Sequence, residues 1–207
     1  MDKNLIINAD DFWMTPIYNK AILELLGEWS ISSTSVMMSR MNQSQKNDVL
    51  ELKKIRDNSN ISIWLHLEFF DTRFDFHLER QLVWFMEVFG HWPDHLDLHA
   101  STYKDLGYPY IAKKALEMWI ACRYYDWLIL QDNITVWENI SWSRMSLDQI
   151  QNSILSSDSL NIELVLHPGY IDDRYITSMV TERVDDIEKS RLLKEFAKIN
   201  WIIVNRL

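Results

Sequence analysis

The chain has 207 residues, a length typical of one domain, and we expect a single domain over residues 1–207. Hydrophobic residues make up 47% and charged residues 25%, which excludes a disordered or fibrous chain. The net charge is −9 and no run of Lys or Arg occurs, which argues against a nucleic-acid partner. A neutral or cationic small molecule fits this charge better.

Residue counts exclude several further classes of protein. The single cysteine, Cys122, rules out an intrachain disulfide and any zinc or iron–sulfur site built from cysteines. Only four glycines occur, and the Gly-rich motifs that cradle nucleotide phosphates are absent. The N-terminus has no signal-peptide pattern and no long apolar run occurs, so we expect a cytoplasmic protein without a membrane partner.

Short apolar runs alternate with amphipathic stretches along the chain. The predicted strands, in chain order, are 5–9, 33–38, 61–65, 95–98, 121–125, 162–166 and 201–204. Thr15 followed by Pro16 is typical of a helix start, and Gly90 of a helix end. The further predicted helices are 43–56, 77–89, 110–120, 147–155 and 182–199. This alternation predicts a parallel α/β protein and leaves open whether the sheet is open or closed into a barrel.

Polar side chains that could perform chemistry follow four of the predicted strands. The pair Asp10 and Asp11 follows the first strand, and His66, His99 and His167 each follow a later one. In a barrel of parallel strands, the active site lies at the carboxyl ends of the strands. Imidazoles and a carboxylate are ligands of catalytic divalent metals, so we predict a metal site there. One aspartate would bind the metal while its neighbour acts as a base.

Each of these residues also has a structural interpretation. An Asp pair after a strand often caps the next helix, although Thr15 already serves that purpose. His66 and His99 could each be core histidines bonded to a neighbouring loop. Of the other histidines, His77 and His91 are predicted to lie on the surface. His95 begins its strand, and we therefore expect a structural role for it at the end away from the site.

Several motifs together resemble one known family. They are NADDF at 8–12, TP at 15–16, STS at 33–35, WLHL at 64–67, GHWPDHLDLH at 90–99, Arg123, HPG at 167–169 and RVDD at 183–186. In type and order they resemble the motifs of the YdjC-like carbohydrate deacetylases, of the chitooligosaccharide deacetylase type. The stretch 126–160 carries no resemblance.

The resemblance implies a fold, an activity and a site. The fold would be a modified (β/α) barrel, similar to a TIM barrel, and the activity the metal-dependent removal of N-acetyl groups from an acetylated amino sugar or short chitooligosaccharide. Magnesium is the metal that the family suggests, although two imidazole ligands also suit zinc or another transition metal. The implied metal ligands are Asp11, His66 and His99. The implied general base is Asp10 and the implied general acid is His167, while Arg123 would orient Asp10 or contact the substrate.

Two tryptophans stand where the family has glycine, and the segment between His66 and His99 is short. We expect at least one of Trp13 and Trp64 to line the pocket mouth and stack on a sugar ring; core packing of both is the alternative. The same departures keep open a catalytically impaired sugar-binding or regulatory protein, and a metal hydrolase of another amide or ester. A homodimer is also left open.

Overall fold

Strands and helices alternate along most of the described chain. The computed structural model describes residues 3–99, 103–123, 138–141, 144–175 and 179–204. In these ranges the strands are β1 (Asn4–Phe12), β2 (Ser33–Val36), β3 (Ser62–Leu67), β4 (His95–Leu98), β5 (Ala121–Cys122), β6 (Glu138–Ser141), β7 (Asn161–Leu166) and β8 (Ile203–Val204). The α-helices are α1 (Pro16–Gly27), α2 (Lys46–Asn58), α3 (Phe74–Phe89), α4 (Lys104–Met118), α5 (Leu147–Ser156) and α6 (Val180–Ile199).

All strand pairs in the sheet are parallel. The strand order is β5-β4-β3-β2-β1-β7-β6, and β8 pairs with the start of β1. Parallel neighbours need a crossover connection, and helices supply most of these connections here. The strands form a curled sheet flanked by helices, which confirms the expected modified (β/α) barrel. Because the strands are parallel, their carboxyl ends meet at one edge.

Strand β1 lies at the centre of the sheet and is buried on both faces. Leu5, Ile7 and Ala9 belong to the main hydrophobic core. Ile6 points to the other face, where it packs with Trp64. A buried run of apolar residues, here Leu5 to Ile7, is typical of strands in parallel sheets covered on both sides. The site residues at the end of β1 are therefore attached to the most enclosed strand of the fold.

Local signals at helix ends are confirmed. The Thr15 hydroxyl accepts a hydrogen bond from the Tyr18 backbone N–H at 3.3 Å, and Pro16 is the first residue of α1. Gly90 ends α3 in the left-handed conformation, with φ 78°. Three predicted helix starts are too late, because the structure begins these helices at Phe74, Lys104 and Val180. The sequence placed the start of α4 after Pro109, but this proline lies inside the helix, where it removes one backbone hydrogen bond.

The region 126–145, in which the sequence predicts no strand or helix, contains one described strand. Strand β6 pairs with β7, with Glu138 beside Ile162. Residues 124–137 lie outside the described residues, as does the end of the strand predicted at 121–125. Among the helices that the structure describes, none has the length and apolar character needed to cross a membrane.

Candidate active site

The predicted site residues meet at the carboxyl ends of the strands. His99 and His167 directly follow β4 and β7, as expected. Asp10, Asp11 and His66 were predicted to follow their strands, but they lie within the last residues of β1 and β3. Both strands are longer than the apolar runs that predicted them, because polar residues extend the backbone pairing at this edge.

An irregularity in β1 turns both neighbouring carboxylates toward His66. Adjacent residues of a regular strand point to opposite faces. The register of β1 against β2 shifts between Ala9 and Phe12, and Asp11 has a φ of 71°. As a result, His66 Nε2 lies 3.8 Å from Asp10 Oδ2 and 3.6 Å from Asp11 Oδ1. A bulge of this type re-aims a side chain at a functional site.

Asp11, His66 and His99 form a triangle of possible metal ligands. His99 Nδ1 lies 3.3 Å from Asp11 Oδ1 and 3.2 Å from His66 Nε2. With the 3.6 Å between His66 and Asp11, all three separations are similar. Two ligand atoms that each lie about 2.1 Å from one cation are about 3.0–3.4 Å apart at octahedral or tetrahedral angles. The triangle therefore matches the spacing of three ligands around one divalent cation.

The Asp11 carboxylate supplies independent support for a cation. Its Oδ2 accepts a hydrogen bond from Arg183 Nη2 at 2.6 Å. Its Oδ1 is buried and accepts no well-aligned hydrogen bond from the described residues. A buried acceptor without a partner costs about 1–3 kcal/mol. A metal ion at the centre of the triangle would satisfy Oδ1, so the residues present fit a divalent metal.

Asp97 orients His66. Its Oδ1 lies 2.5 Å from His66 Nδ1, which leaves Nε2 directed at Asp11. A carboxylate behind a histidine is the usual partner of a metal-binding imidazole. Burial opposes the charged ring, but Asp97 and Asp10 outweigh it and raise the pKa of His66 well above its ordinary value. The sequence analysis gave Asp97 no role. The available signal was its position two residues before His99, because residues two apart in an extended chain point to the same side.

Arg123 holds Asp10 through two parallel hydrogen bonds. Its Nη1 and Nη2 donate to Asp10 Oδ2 and Oδ1, each at 2.8 Å. The guanidinium also contacts Asp97 Oδ2 and Glu163 Oε1, again at 2.8 Å. Asn8 Nδ2 donates to Asp10 Oδ1 at 2.7 Å. Asp10 is therefore fixed in place by its neighbours.

The charges around Asp10 keep it ionised. Burial favours the neutral acid, but the Arg123 guanidinium and His66 outweigh burial and lower the pKa of Asp10. Glu163 differs, because burial dominates there and raises its pKa to about 7. Sequence reasoning missed Glu163. The available signal was a lone carboxylate inside an otherwise apolar strand.

His167 faces Asp10 from the other side of the site. Its Nε2 lies 3.8 Å from Asp10 Oδ2, and the side chain is 20% exposed. Its backbone N–H donates to Asp186 Oδ2 at 2.8 Å, and its carbonyl accepts from Arg183 Nη1 at 3.3 Å. Two residues of α6 thus hold the loop that carries His167. The imidazole keeps contact with solvent, and so remains accessible to a substrate.

The backbone after His167 packs directly on Tyr18. A Cβ placed on Gly169 would lie 2.4 Å from the Tyr18 ring, well inside van der Waals contact. We expect Gly169→Ala to displace this loop, lowering stability by about 1–3 kcal/mol and turnover more than tenfold. Gly27→Ala is the matched control, since nothing lies within 4 Å of that Cβ. Urea unfolding and a turnover assay measure the two effects; equal behaviour of the two variants would contradict the prediction.

The expectation that a tryptophan lines the pocket mouth is wrong. Trp13 is fully buried, with its ring 5.6 Å from Phe12 and 5.9 Å from Phe89. Trp64 is also fully buried and stacks on His95 at 4.0 Å. Alternation does place Trp64 on the same face as His66, but deeper in the sheet. Neither indole offers a free face to a sugar.

We expect Trp13→Gly to lower stability without changing substrate preference. Losing a buried indole costs about 3–5 kcal/mol, partly offset because glycine relieves the strain of a φ of 80°. Trp119→Gly is the matched control, because Trp119 also has positive φ but is 77% exposed. That variant should be neutral or more stable. Denaturant unfolding measures both; a changed sugar chain-length preference in Trp13→Gly would restore the pocket interpretation.

Of the histidines outside the site, His77 contradicts its prediction and His95 agrees with it. His77 is buried rather than at the surface, because α3 turns it inward against Phe69, and its Nε2 lies 2.9 Å from Asp71. His95 is buried beneath Trp64, and burial lowers its pKa to about 3. His95 is therefore neutral, as a structural residue would be.

Comparisons with known proteins agree with the sequence motifs. The family model described as YdjC-like protein matches residues 4–77. A chitooligosaccharide deacetylase of Yersinia pestis bv. Antiqua (strain Angola) is 24% identical over 218 aligned residues, covering 86% of each chain. These findings confirm the resemblance to the YdjC-like family.

Solved structures share the fold. A protein of Enterococcus faecalis V583, described provisionally as a cellobiose-phosphate cleavage protein, has a TM-score of 0.81 at 18% identity and covers 100% of this chain and 98% of its own. A peptidoglycan N-acetylglucosamine deacetylase has a TM-score of 0.61 at 12% identity, with 100% and 86% covered. At these identities the likeness concerns the fold alone.

Proposed function

We propose that this protein is a metal-dependent hydrolase that removes the N-acetyl group from an acetylated amino sugar or a short chitooligosaccharide. The observation that carries the proposal is the cluster at the strand ends, where three possible metal ligands lie beside a fixed carboxylate and an accessible imidazole. The chitooligosaccharide deacetylase relative supports the choice of substrate.

Asp11, His66 and His99 would hold the metal. A divalent cation supplies Lewis-acid chemistry, which eases the ionisation of water and polarises a carbonyl group. Arg183 and Asp97 keep two of the ligands aimed at the common centre. Two imidazoles and one carboxylate suit zinc and other transition metals, and the family resemblance suggests magnesium.

Asp10 is placed to act as the general base. It is ionised, and Arg123 prevents it from rotating away from the site. Its Oδ2 lies 3.8 Å from both His66 Nε2 and His167 Nε2, between the metal ligands and the acid. Asp10 would take a proton from the attacking water as the water oxygen bonds to the acetamide carbon.

His167 is placed to act as the general acid. The carbon–nitrogen bond breaks only when the departing nitrogen receives a proton, since an amide anion is a poor leaving group. His167 would donate that proton from its imidazole, across the site from the metal ligands. The products are acetate and the free amino sugar.

Acetate release from N,N′-diacetylchitobiose tests the proposal. The purified protein should release acetate, lose this activity after treatment with a chelator, and regain it when zinc, manganese or magnesium is added back. The metal that restores activity at the lowest concentration identifies the preferred ion. Binding of the disaccharide without acetate release at any metal concentration would contradict the proposal and favour a sugar-binding protein.

A further inference from the structure

Glu163 is a buried carboxylate that the chemistry described so far does not use. It stands in β7 between Ile162 and Leu164, and it has no exposed surface. Burial raises the pKa of Glu163 to about 7, which means that folding disfavours its charged form. An ionised carboxylate at this position therefore lowers the stability of the protein at neutral pH and above. A residue that costs stability is typical of a functional rather than a structural position.

The pair of Arg123 and Glu163 spans the interior of the curled sheet. Arg123 directly follows β5, and four strands separate β5 from β7 in the sheet. In a flat sheet, five strand spacings of about 4.8 Å would hold these two strands about 24 Å apart. Arg123 Nε nevertheless donates to Glu163 Oε1 at 2.8 Å, because the curl of the sheet brings the two strands face to face. Arg123 thus reaches across the sheet from one side and is bound at its far end on the other.

The guanidinium of Arg123 makes contacts in three directions. Its Nη1 and Nη2 hold the two oxygens of Asp10, Nη2 also contacts Asp97 Oδ2, and Nε binds Glu163. A guanidinium is planar and carries its N–H donors in fixed directions. The Nε contact therefore fixes the plane of the group, and with it the direction of the two bonds to Asp10. Without Glu163, the guanidinium can turn toward Asp97, which lies on β4, the strand next to β5.

We propose that Glu163 is a positioning residue for the general base, on which it acts through Arg123. The inference rests on the proposed function, in which Asp10 takes a proton from the attacking water. A substrate would not touch Glu163, because the side chain has no exposed surface. Loss of Glu163 should therefore lower kcat and leave KM nearly unchanged.

Three variants of β7 test this role. Glu163→Leu removes the acceptor for Arg123 Nε, and kcat should fall about 10-fold to 100-fold, the effect of a misplaced catalytic group. Glu163→Gln keeps a carbonyl oxygen for this N–H and should recover most of the loss. Ile162→Val is the matched control, because its side chain packs in the hydrophobic core on the opposite face of β7. It should lower stability slightly and leave kcat unchanged. If Glu163→Leu does not fold, Glu163→Ala replaces it in each assay.

A double variant tests whether Glu163 acts through Arg123. Once Arg123 is replaced by alanine, Glu163→Leu should lower kcat no further, because the group that it orients is gone. A further fall by the same factor in the double variant would overturn the inference. An unchanged kcat in Glu163→Leu, or a loss that Glu163→Gln shares in full, would also overturn it and leave the deacetylase proposal standing.

Hydrolysis of an aryl acetate ester separates this inference from the proposed function. Both the ester and the sugar amide need an activated water, so Glu163→Leu should slow them by the same factor. A wild-type protein that hydrolyses the ester but releases no acetate from N,N′-diacetylchitobiose would contradict the proposed function, and the ester assay would still decide the role of Glu163.

The NMR signal of the Arg123 Nε–H provides a readout without catalysis. In the wild-type protein and in Glu163→Gln this buried proton should be visible and exchange slowly with solvent. In Glu163→Leu the signal should shift or broaden, because the guanidinium loses its fixed orientation. An identical signal with unchanged exchange in Glu163→Leu would show that Glu163 does not hold Arg123, and would overturn the inference.

Discussion

His99→Ala should lower the affinity for a divalent metal by more than about 100-fold, and turnover should fall with it. Loss of a residue that merely supports a ligand costs about 10–100-fold in metal affinity, so loss of a ligand itself should cost more. His99 is the suitable choice because it follows β4 and its side chain is 22% exposed, which makes misfolding of the variant less of a concern. Asp11 and His66 are both buried beside charged partners.

Titration of chelator-treated protein with zinc, manganese and magnesium measures this effect directly. A rise of the melting temperature with added metal should also disappear in the variant, since a ligand stabilises only the state that binds it. His91→Ala is the matched control, because His91 lies beyond the end of α3 and away from the cluster. Unchanged metal affinity in His99→Ala would show that the triangle is not the metal site.

His167→Ala should lower kcat by about 10²–10⁴-fold while metal affinity stays close to that of the wild-type protein. Metal affinity should stay unchanged because His167 is not one of the three proposed metal ligands. His167 lies beside Asp10 and is held by residues of α6, whereas the proposed metal ligands come from β1, β3 and the end of β4. Removing the imidazole deprives the departing nitrogen of its proton donor and leaves the three metal ligands in place.

A substrate with a better leaving group sharpens this test. An aryl acetate ester needs little protonation of its leaving oxygen, so the defect of His167→Ala should be much smaller on the ester than on the sugar amide. Asp10→Asn provides the contrast, since loss of the base should slow both substrates. Equal loss of metal and of turnover in His167→Ala would instead make His167 a ligand.

The sequence predicted which residues meet at the strand ends better than it predicted the residues that support them. Asp10, Asp11 and the histidines at the strand ends could be found because the carboxyl ends of parallel strands meet wherever the sheet curls. Arg123 could be named only through the family resemblance, and two of its partners, Asp97 and Glu163, could not be found. Glu163 is 40 positions from Arg123 along the chain, and only the folded sheet shows that the Arg123 guanidinium binds it.

The sequence also failed to predict which large side chains are buried. Trp13 directly follows β1 at the edge that carries the site, and this position suggested a pocket mouth. Its φ of 80° turns the indole away from the site, so that it packs beside Phe12 and Phe89. A sequence pattern gives no warning of a positive φ at a tryptophan, because such a conformation is uncommon outside glycine. The same backbone irregularity that aims Asp11 at His66 thus hid the direction of Trp13.

The central place of β1 determines how tightly metal binding is linked to folding. Hydrogen bonds to β2, β7 and β8 enclose this strand, and Asp11 at its end is almost fully buried. Amide protons in such a strand exchange with deuterium only when the whole domain opens, whereas those of surface loops exchange through local openings. A metal ion held by Asp11, His66 and His99 would therefore add its binding free energy to the free energy of global opening. Chelation should speed deuterium uptake throughout the core, far from the metal ligands themselves.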